Sequence, residues 1–244
     1  MRTAAVLHSE WLKIRTMRSL MAALIAVFAV TAGITVLVNA LTGADEAGQT
    51  GDDPLFAAFF GLNFGQVAAI AFGTLAVSSE YVNGALRVSL AAVPDRTRFY
   101  AAKAAVVGSL VLLVGVVTGF VTFLGGQAFV GERALGLGDP GAVRACVGSG
   151  LYLALMALFA AGLAAVLRSG TAVLSVLVPF VLIVSFVVGD VASGVADYLP
   201  DQAGQLVVHQ DTPGIGPWTG LAVTAGWAAA ALLAGWFAVR RRDA

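Results

Sequence analysis

Charge is what this sequence has least of. Asp, Glu, Lys and Arg make up 11% of its 244 residues, where an ordinary soluble domain carries roughly 25%. A soluble fold of this length needs a charged surface, so the shortfall excludes one; a lipid-facing surface does not. There is a single cysteine, Cys146, so no intrachain disulfide can form. There are two lysines and two histidines. Lys13 is followed by Ile14 and Lys103 by Ala104, so no glycine-rich phosphate loop ending in Lys-Ser or Lys-Thr exists. His8 and His209 have no second histidine at metal spacing, so no metal site and no catalytic group are expected. Net formal charge is zero, which implies no nucleic-acid partner.

What is abundant is apolar. Apolar types make up 59% of the chain, and mean hydropathy is +0.90. Six segments free of Asp, Glu, Lys, Arg and His are long enough to cross a bilayer core, which takes roughly 20 residues of helix. They run over about 20–41, 55–79, 104–130, 145–167, 171–189 and 218–239. Only Arg168-Ser169-Gly170 separates the fourth from the fifth, which predicts a helical hairpin. The stretch before residue 20 is too long for the leader of a secretory signal, and the apolar run behind it is too long as well. A retained first helix is expected. The fold class predicted is an all-α membrane protein of one transmembrane domain.

The basic residues sort by side. With the N-terminus inside, twelve of the fourteen fall on cytoplasmic segments, and only Arg133 and Arg144 fall outside. That bias predicts both termini in the cytoplasm. Ten acids, among them Asp53, Asp197 and Asp201, fall on the outer side.

Three polar segments flank the spans. In residues 1–19, Leu7, Trp11 and Ile14 recur at helical spacing while Ser9, Glu10, Lys13 and Thr16 turn elsewhere. This predicts an amphipathic helix in the inner interface, with Glu10, Lys13 and Arg15 on it and Trp11 at headgroup depth. In residues 80–103, Val82, Leu86 and Leu90 share a face and Pro94 stops the pattern. Spacing alone fits either a short amphipathic helix or a solvated basic loop. Residues 190–217 form an acidic outer segment with room for one or two short helices against the outer leaflet.

Inside the spans the polar groups are uncharged. Asn63 and Gln66 lie one turn apart, as do Thr118 and Thr122. They are candidates to line a pathway, or to hydrogen-bond between helices. No ionisable group stands where an ion-coupled carrier would place one. Val188-Gly189-Asp190 lacks both the preceding glycine and the second intramembrane aspartate that an intramembrane aspartyl protease needs. Gly61 with Gly65, and Gly115 with Gly119, suit close helix packing, and Pro179 predicts a kink.

Two of these segments carry a resemblance. Ser9-Glu10-Trp11-Leu12-Lys13-Ile14-Arg15-Thr16 followed by Arg18-Ser19, and Glu80-Tyr81 with Gly84, Arg87, Leu90, Pro94, Arg96 and Ala102-Lys103, are similar to motifs of type-2 ABC transporter permease subunits. The likeness is to the six-span exporters of actinobacteria, and the basic tail after Trp227 fits it too. The resemblance implies a bacterial plasma-membrane subunit that forms the translocation pathway of an ATP-driven exporter. It implies a second permease copy, identical or related, and a separate ATPase subunit that holds ATP and Mg, with membrane lipid around them. It implies that Glu80, Tyr81, Gly84, Arg87, Leu90, Pro94 and Arg96 belong to a coupling helix that docks on the ATPase. Drugs, peptides, lipids and glycans all fit as cargo. The alternative reading is a membrane anchor or regulatory subunit without transport.

Overall fold

A computed structural model of the chain describes residues 3–46, 53–82, 84–184, 187, 194, 197–210 and 214–241. The described residues are helical and contain no strand. Helix α1 (Thr3–Thr16) precedes α2 (Arg18–Glu46). A single turn, α3 (Pro54–Ala57), leads into α4 (Leu62–Ser78), and α5 (Ala85–Ala92) follows. Then come α6 (Arg96–Gln127), α7 (Ala142–Leu167), α8 (Gly170–Pro179), α9 (Pro200–Gln205) and α10 (Pro217–Arg241). Five stretches are long and apolar enough to cross a membrane: α2 up to Leu41, Leu62–Tyr81, α6, α7 and α10. A shorter apolar stretch, Gly170–Val184, stands where the fifth span was expected.

Two spans depart from their expected course. The second was read as one helix over 55–79, but it breaks after its first turn. Asp53 caps that turn, its Oδ1 accepting from the amides of Leu55 and Phe56, with Pro54 in the first helical position. Tighter i to i+3 bonds follow, Phe59 to Phe56 and Leu62 to Phe59. The Gly61 amide then donates to Thr35 Oγ1 of α2 at 2.8 Å, and the helix restarts. In α8 the winding widens into a π turn over Phe180–Val184, directly after Pro179, whose missing amide proton frees a carbonyl. Residues 185, 186, 188 and 189 of that expected span lie outside the described residues, as do 190–193, 195, 196 and 211–213.

The bundle is organised on α7. Two thirds of its most apolar window is buried, against one third for α6 and for α10. Many of its inward positions are small: Ala145, Gly148, Gly150, Ala157, Ala160, Ala161, Gly162, Ala164 and Ala165. Lipid gives helices no hydrophobic reason to associate, so close van der Waals packing must hold them together. Gly150 meets Gly115 of α6 backbone to backbone: a Cβ added at Gly150 falls 2.5 Å from the Val116 amide nitrogen. Gly162 meets the Ala231 backbone of α10 in the same way.

The segment expected on the outer side does not stay on the surface of the bundle. Helix α9 packs between α7 and α10, with Gly204 against the Tyr152 ring and Gly220 against the Ala203 carbonyl. The Thr224 hydroxyl donates to Pro200 O at 2.8 Å. Thr224 lies seven residues into α10, so the contact sits about 10 Å below that helix's outer end. Asp201, counted among the outer acids, is therefore 1% exposed within the bundle. A second contact ties this segment to the break in the second span. His209 stacks on Phe56 with ring centroids 4.5 Å apart, its Nδ1 lies 3.4 Å from Asp53 Oδ2, and Arg144 donates to its carbonyl.

Valine at Gly150 must push two backbones apart. Gly150→Val is expected to lower the detergent-solubilised protein's Tm by 10 °C or more, or to prevent recovery of folded protein. Gly33→Ala, where an added Cβ meets nothing within 4 Å, is expected to change Tm by less than about 2 °C. Thermal unfolding followed by size-exclusion fluorescence separates the two.

Candidate functional site

Both lysines of the chain meet in one place. Lys103, near the start of α6, reaches Glu10 Oε2 at 2.5 Å and Glu80 Oε1 at 2.9 Å, and donates to Ala76 O at 3.3 Å. Lys13 reaches Glu10 Oε1 and Glu80 Oε1, each at 2.9 Å, and the Ser89 hydroxyl at 3.0 Å. Ser89 in turn donates to Glu80 Oε2 at 2.8 Å. Each ammonium thus has three acceptors for three protons. A compact ammonium suits this arrangement and the planar fork of arginine does not. The Phe99 ring lies 5.5 Å and 5.4 Å from the two ammonium nitrogens, the distance at which an aromatic face stabilises a cation.

Glu10, Glu80 and Lys103 are each no more than 5% exposed. Burial opposes the charge on Lys13, but hydrogen bonds to Glu80 and Glu10 outweigh it and hold the Lys13 pKa above its ordinary value of 10.5. The space left among these side chains is about 10 Å³, too little for more than one water. The cluster is therefore a joint and not a ligand site. It ties α1 to the end of α4, to α5 and to the start of α6.

This reverses one expectation. Glu10 was placed on the polar side of α1, away from the core. In the structure Val6, Glu10 and Ile14 form the buried face, and Trp11 and Leu12 are 40% and 42% exposed. The reason lies far along the chain: the surface beneath α1 carries the Lys103 ammonium, so a carboxylate fits there better than a leucine.

The other coupling candidates spread over the same face. Gly84 has φ 73°, a left-handed conformation that costs glycine little, and opens α5. Leu86 is buried under that helix, Leu90 is half-buried, and Arg87, Val88 and Pro94 are exposed. Val82, expected to share the buried face with Leu86, is 57% exposed, because the turn at Gly84 separates it from the helix. Asp95 caps α6 by accepting from the amides of Thr97 and Arg98. Arg96 donates to Val239 O at 2.9 Å, tying this segment to the last turn of α10. Tyr81 donates to Ala165 O at 3.4 Å, and the Arg168 guanidinium sits 5.4 Å from its ring centroid. On α1, Arg15 is exposed.

Sequence reading passed over Ser89, Phe99 and Arg168. Of these, the first two carry no signal in periodicity. A signal for the cluster was present in the composition: two lysines against twelve arginines, each lysine in a segment that also holds a glutamate.

The pathway candidates sit elsewhere. Gln66 is buried and accepts a hydrogen bond from the Tyr152 hydroxyl. Thr118 is buried and donates to Val114 O at 2.7 Å, and Thr122 is buried beside it. Asn63 is half-buried and donates to Phe60 O at 3.2 Å.

Removing one member of the cluster leaves a buried charge uncompensated. Lys103→Met is expected to cost about 3–5 kcal/mol in thermal unfolding, because it strands a carboxylate. Replacing Glu10, Lys13, Glu80 and Lys103 together by apolar side chains is expected to cost less than that single change. The raised pKa of Lys13 sets the pH window. Its contribution is complete below pH 10.5 and is lost as pH rises above that value. Tm of the wild type should fall steeply in that alkaline range, and Lys13→Met should flatten the fall.

The family model described as ABC-2 family transporter protein matches residues 6–187, from α1 through α8. No curated protein matches the chain significantly. The matched region holds all four charges of the cluster and four of the five long apolar helices. The chain is a multi-pass membrane protein of the ABC-2 transporter family, the membrane component of ABC transport.

Proposed function

We propose that the chain is the permease subunit of an ATP-driven exporter, with six spans and both termini in the cytoplasm of a bacterial cell. The remaining span, fifth in chain order, is α8, which continues to Val184 without a charged side chain. The basic residues of α1, α5, the α7–α8 turn and the tail of α10 support the orientation. A separate ATPase supplies ATP and Mg, and two permease copies enclose the path.

The observation that carries this reading is the buried cluster. A joint between α1, α4, α5 and α6 makes one stiff block of the segments at the cytoplasmic end. A load applied to α5 then reaches α4 and α6 directly. On the outer surface of that block stand Arg87 and Val88, the latter 73% exposed. An exposed apolar side chain beside a cation is the composition of a docking surface, since a partner that covers Val88 gains apolar burial and its own acids meet Arg87. The same geometry separates two roles within the coupling segment. Glu80 is internal and holds the block together, whereas Arg87 faces outward.

Co-expression with candidate ATPases and affinity purification from membranes tests the reading. The wild type should recover a stoichiometric ATPase. Arg87→Glu should insert at the wild-type level and recover at least tenfold less. Normal recovery with Arg87→Glu removes that residue from the docking surface. A wild type that recovers no ATPase favours the anchor or regulatory role.

A further inference from the structure

The turn between α7 and α8 is made of Arg168, Ser169 and Gly170. Among the described residues, Arg168 is the only one other than glycine with a positive φ, 53°. It closes α7, its amide donating to Ala164 O at 2.9 Å. Glycine is the usual residue at such a helix end, because a Cβ crowds the backbone in this conformation. An arginine held there at a cost is explained by what its side chain does.

That side chain stacks on Tyr81, which belongs to the segment between α4 and α5 and is itself bonded to Ala165 of α7. The pair stands between two open cavities on the cytoplasmic side. One, about 460 Å³, is lined by Tyr81, Gly84, Leu86, Arg87 and Arg168. The other, about 510 Å³, shares Tyr81 and Arg168 and runs along Ser78, Thr171 and Leu174 towards α8. With space on both sides, Tyr81 and Arg168 form the bridge between the coupling segment and α8. Helix α8 packs on α4 and α7, turns apolar side chains such as Val176 and Ile183 outward, and loosens into a π turn after Pro179.

We propose that Arg168 is a positioning residue that transmits movement of the coupling segment to α8. The proposal rests on the ATPase-coupling reading above. Displacement of Tyr81 by the ATPase drags the guanidinium stacked on it, and the three-residue turn passes that displacement to the first turn of α8. A stacked cation tolerates sliding over the ring better than a directional hydrogen bond does, so the bridge persists through the stroke.

The test uses the complex of the permease with its co-purified ATPase in lipid nanodiscs. Val176→Cys, exposed on α8, is labelled with bimane; Cys146 is buried and does not compete. ATP with vanadate is expected to shift the bimane emission in the otherwise wild-type complex. Arg168→Gly should keep the ATPase bound and hydrolysing, with Tm unchanged or raised because glycine relieves the positive φ, yet shrink the emission shift at least fivefold. Arg168→Lys, which keeps the cation, should restore at least half of it. Tyr81→Phe should behave as wild type and Tyr81→Leu as Arg168→Gly, with no further loss when the last two are combined. A full emission shift in Arg168→Gly overturns the proposal and leaves the coupling reading intact. So does a lowered Tm in Arg168→Gly with no rescue by Arg168→Lys, the pattern of a helix cap alone. A wild type that recovers no ATPase overturns both.

Discussion

The Lys103 ammonium and the Glu10 and Glu80 carboxylates are taken out of water and must find one another, or the fold loses several kcal/mol for each that does not. That requirement governs the end of the bundle where α1, α4, α5 and α6 meet. Glu10 comes from α1, Lys103 from α6, and Glu80 from the turn after α4, while Lys13 and Ser89 close the ring from α1 and α5. No two of these elements can shift independently without breaking a bond to a buried charge. The charges add less to stability than apolar side chains of the same volume might, but they accept only one arrangement. The cluster is therefore best understood as setting geometry. It places α5 at a definite height and angle below the spans, with Arg87 and Val88 outward.

Away from that cluster the long helices obey a different rule: small residues hold them together. Glycine and alanine on α7 let α6, α4 and α10 approach to backbone contact, and the few buried hydroxyls and amides mostly bond to the nearest carbonyl or to one another. Packing of that kind is stiff where both faces are small, as at Gly115 and Gly150. Helix α8 has one such approach, Gly170 against Ser78 of α4, and packs beyond it through Val173 and Leu177. The molecule thus has a charged joint at one end, a central helix packed through small residues, and a shorter apolar helix, α8, whose winding widens after Pro179.

Most of this architecture can be read from residue types, because lipid makes long apolar runs unambiguous. Five of the six expected spans correspond to long apolar helices, with ends within a few residues except where caps intervene. Asp95 extends α6 back to Arg96, and Asp53 detaches the first turn of the second span. What periodicity missed was burial decided by a partner far along the chain. Glu10 scores as a polar position on α1, and only the presence of Lys103, 93 residues later, makes it a core residue. Asp201 scores as an outer acid because its neighbours are polar, yet α9 folds inward between α7 and α10. Arg168 counted as one topogenic charge among twelve, and its conformation is invisible to composition.

The contrast between the joint and α8 bears on how work crosses the membrane boundary. A fully rigid cytoplasmic end would transmit force equally to every span and would move the protein as one body. A fully soft end would dissipate it. Here α4 and α6 are fixed to the block by Lys103, and α10 is fixed to it by Arg96 at Val239. Helix α8 meets the block through Gly170 against Ser78 at the end of α4 and through the stacked pair of Tyr81 and Arg168. Force applied at α5 meets firm resistance along three helices and a compliant path along the fourth. Displacement concentrates where compliance is greatest, so relative motion is expected between α8 and the rest of the bundle and not within the rest. The widened winding after Pro179 gives that motion a place to bend.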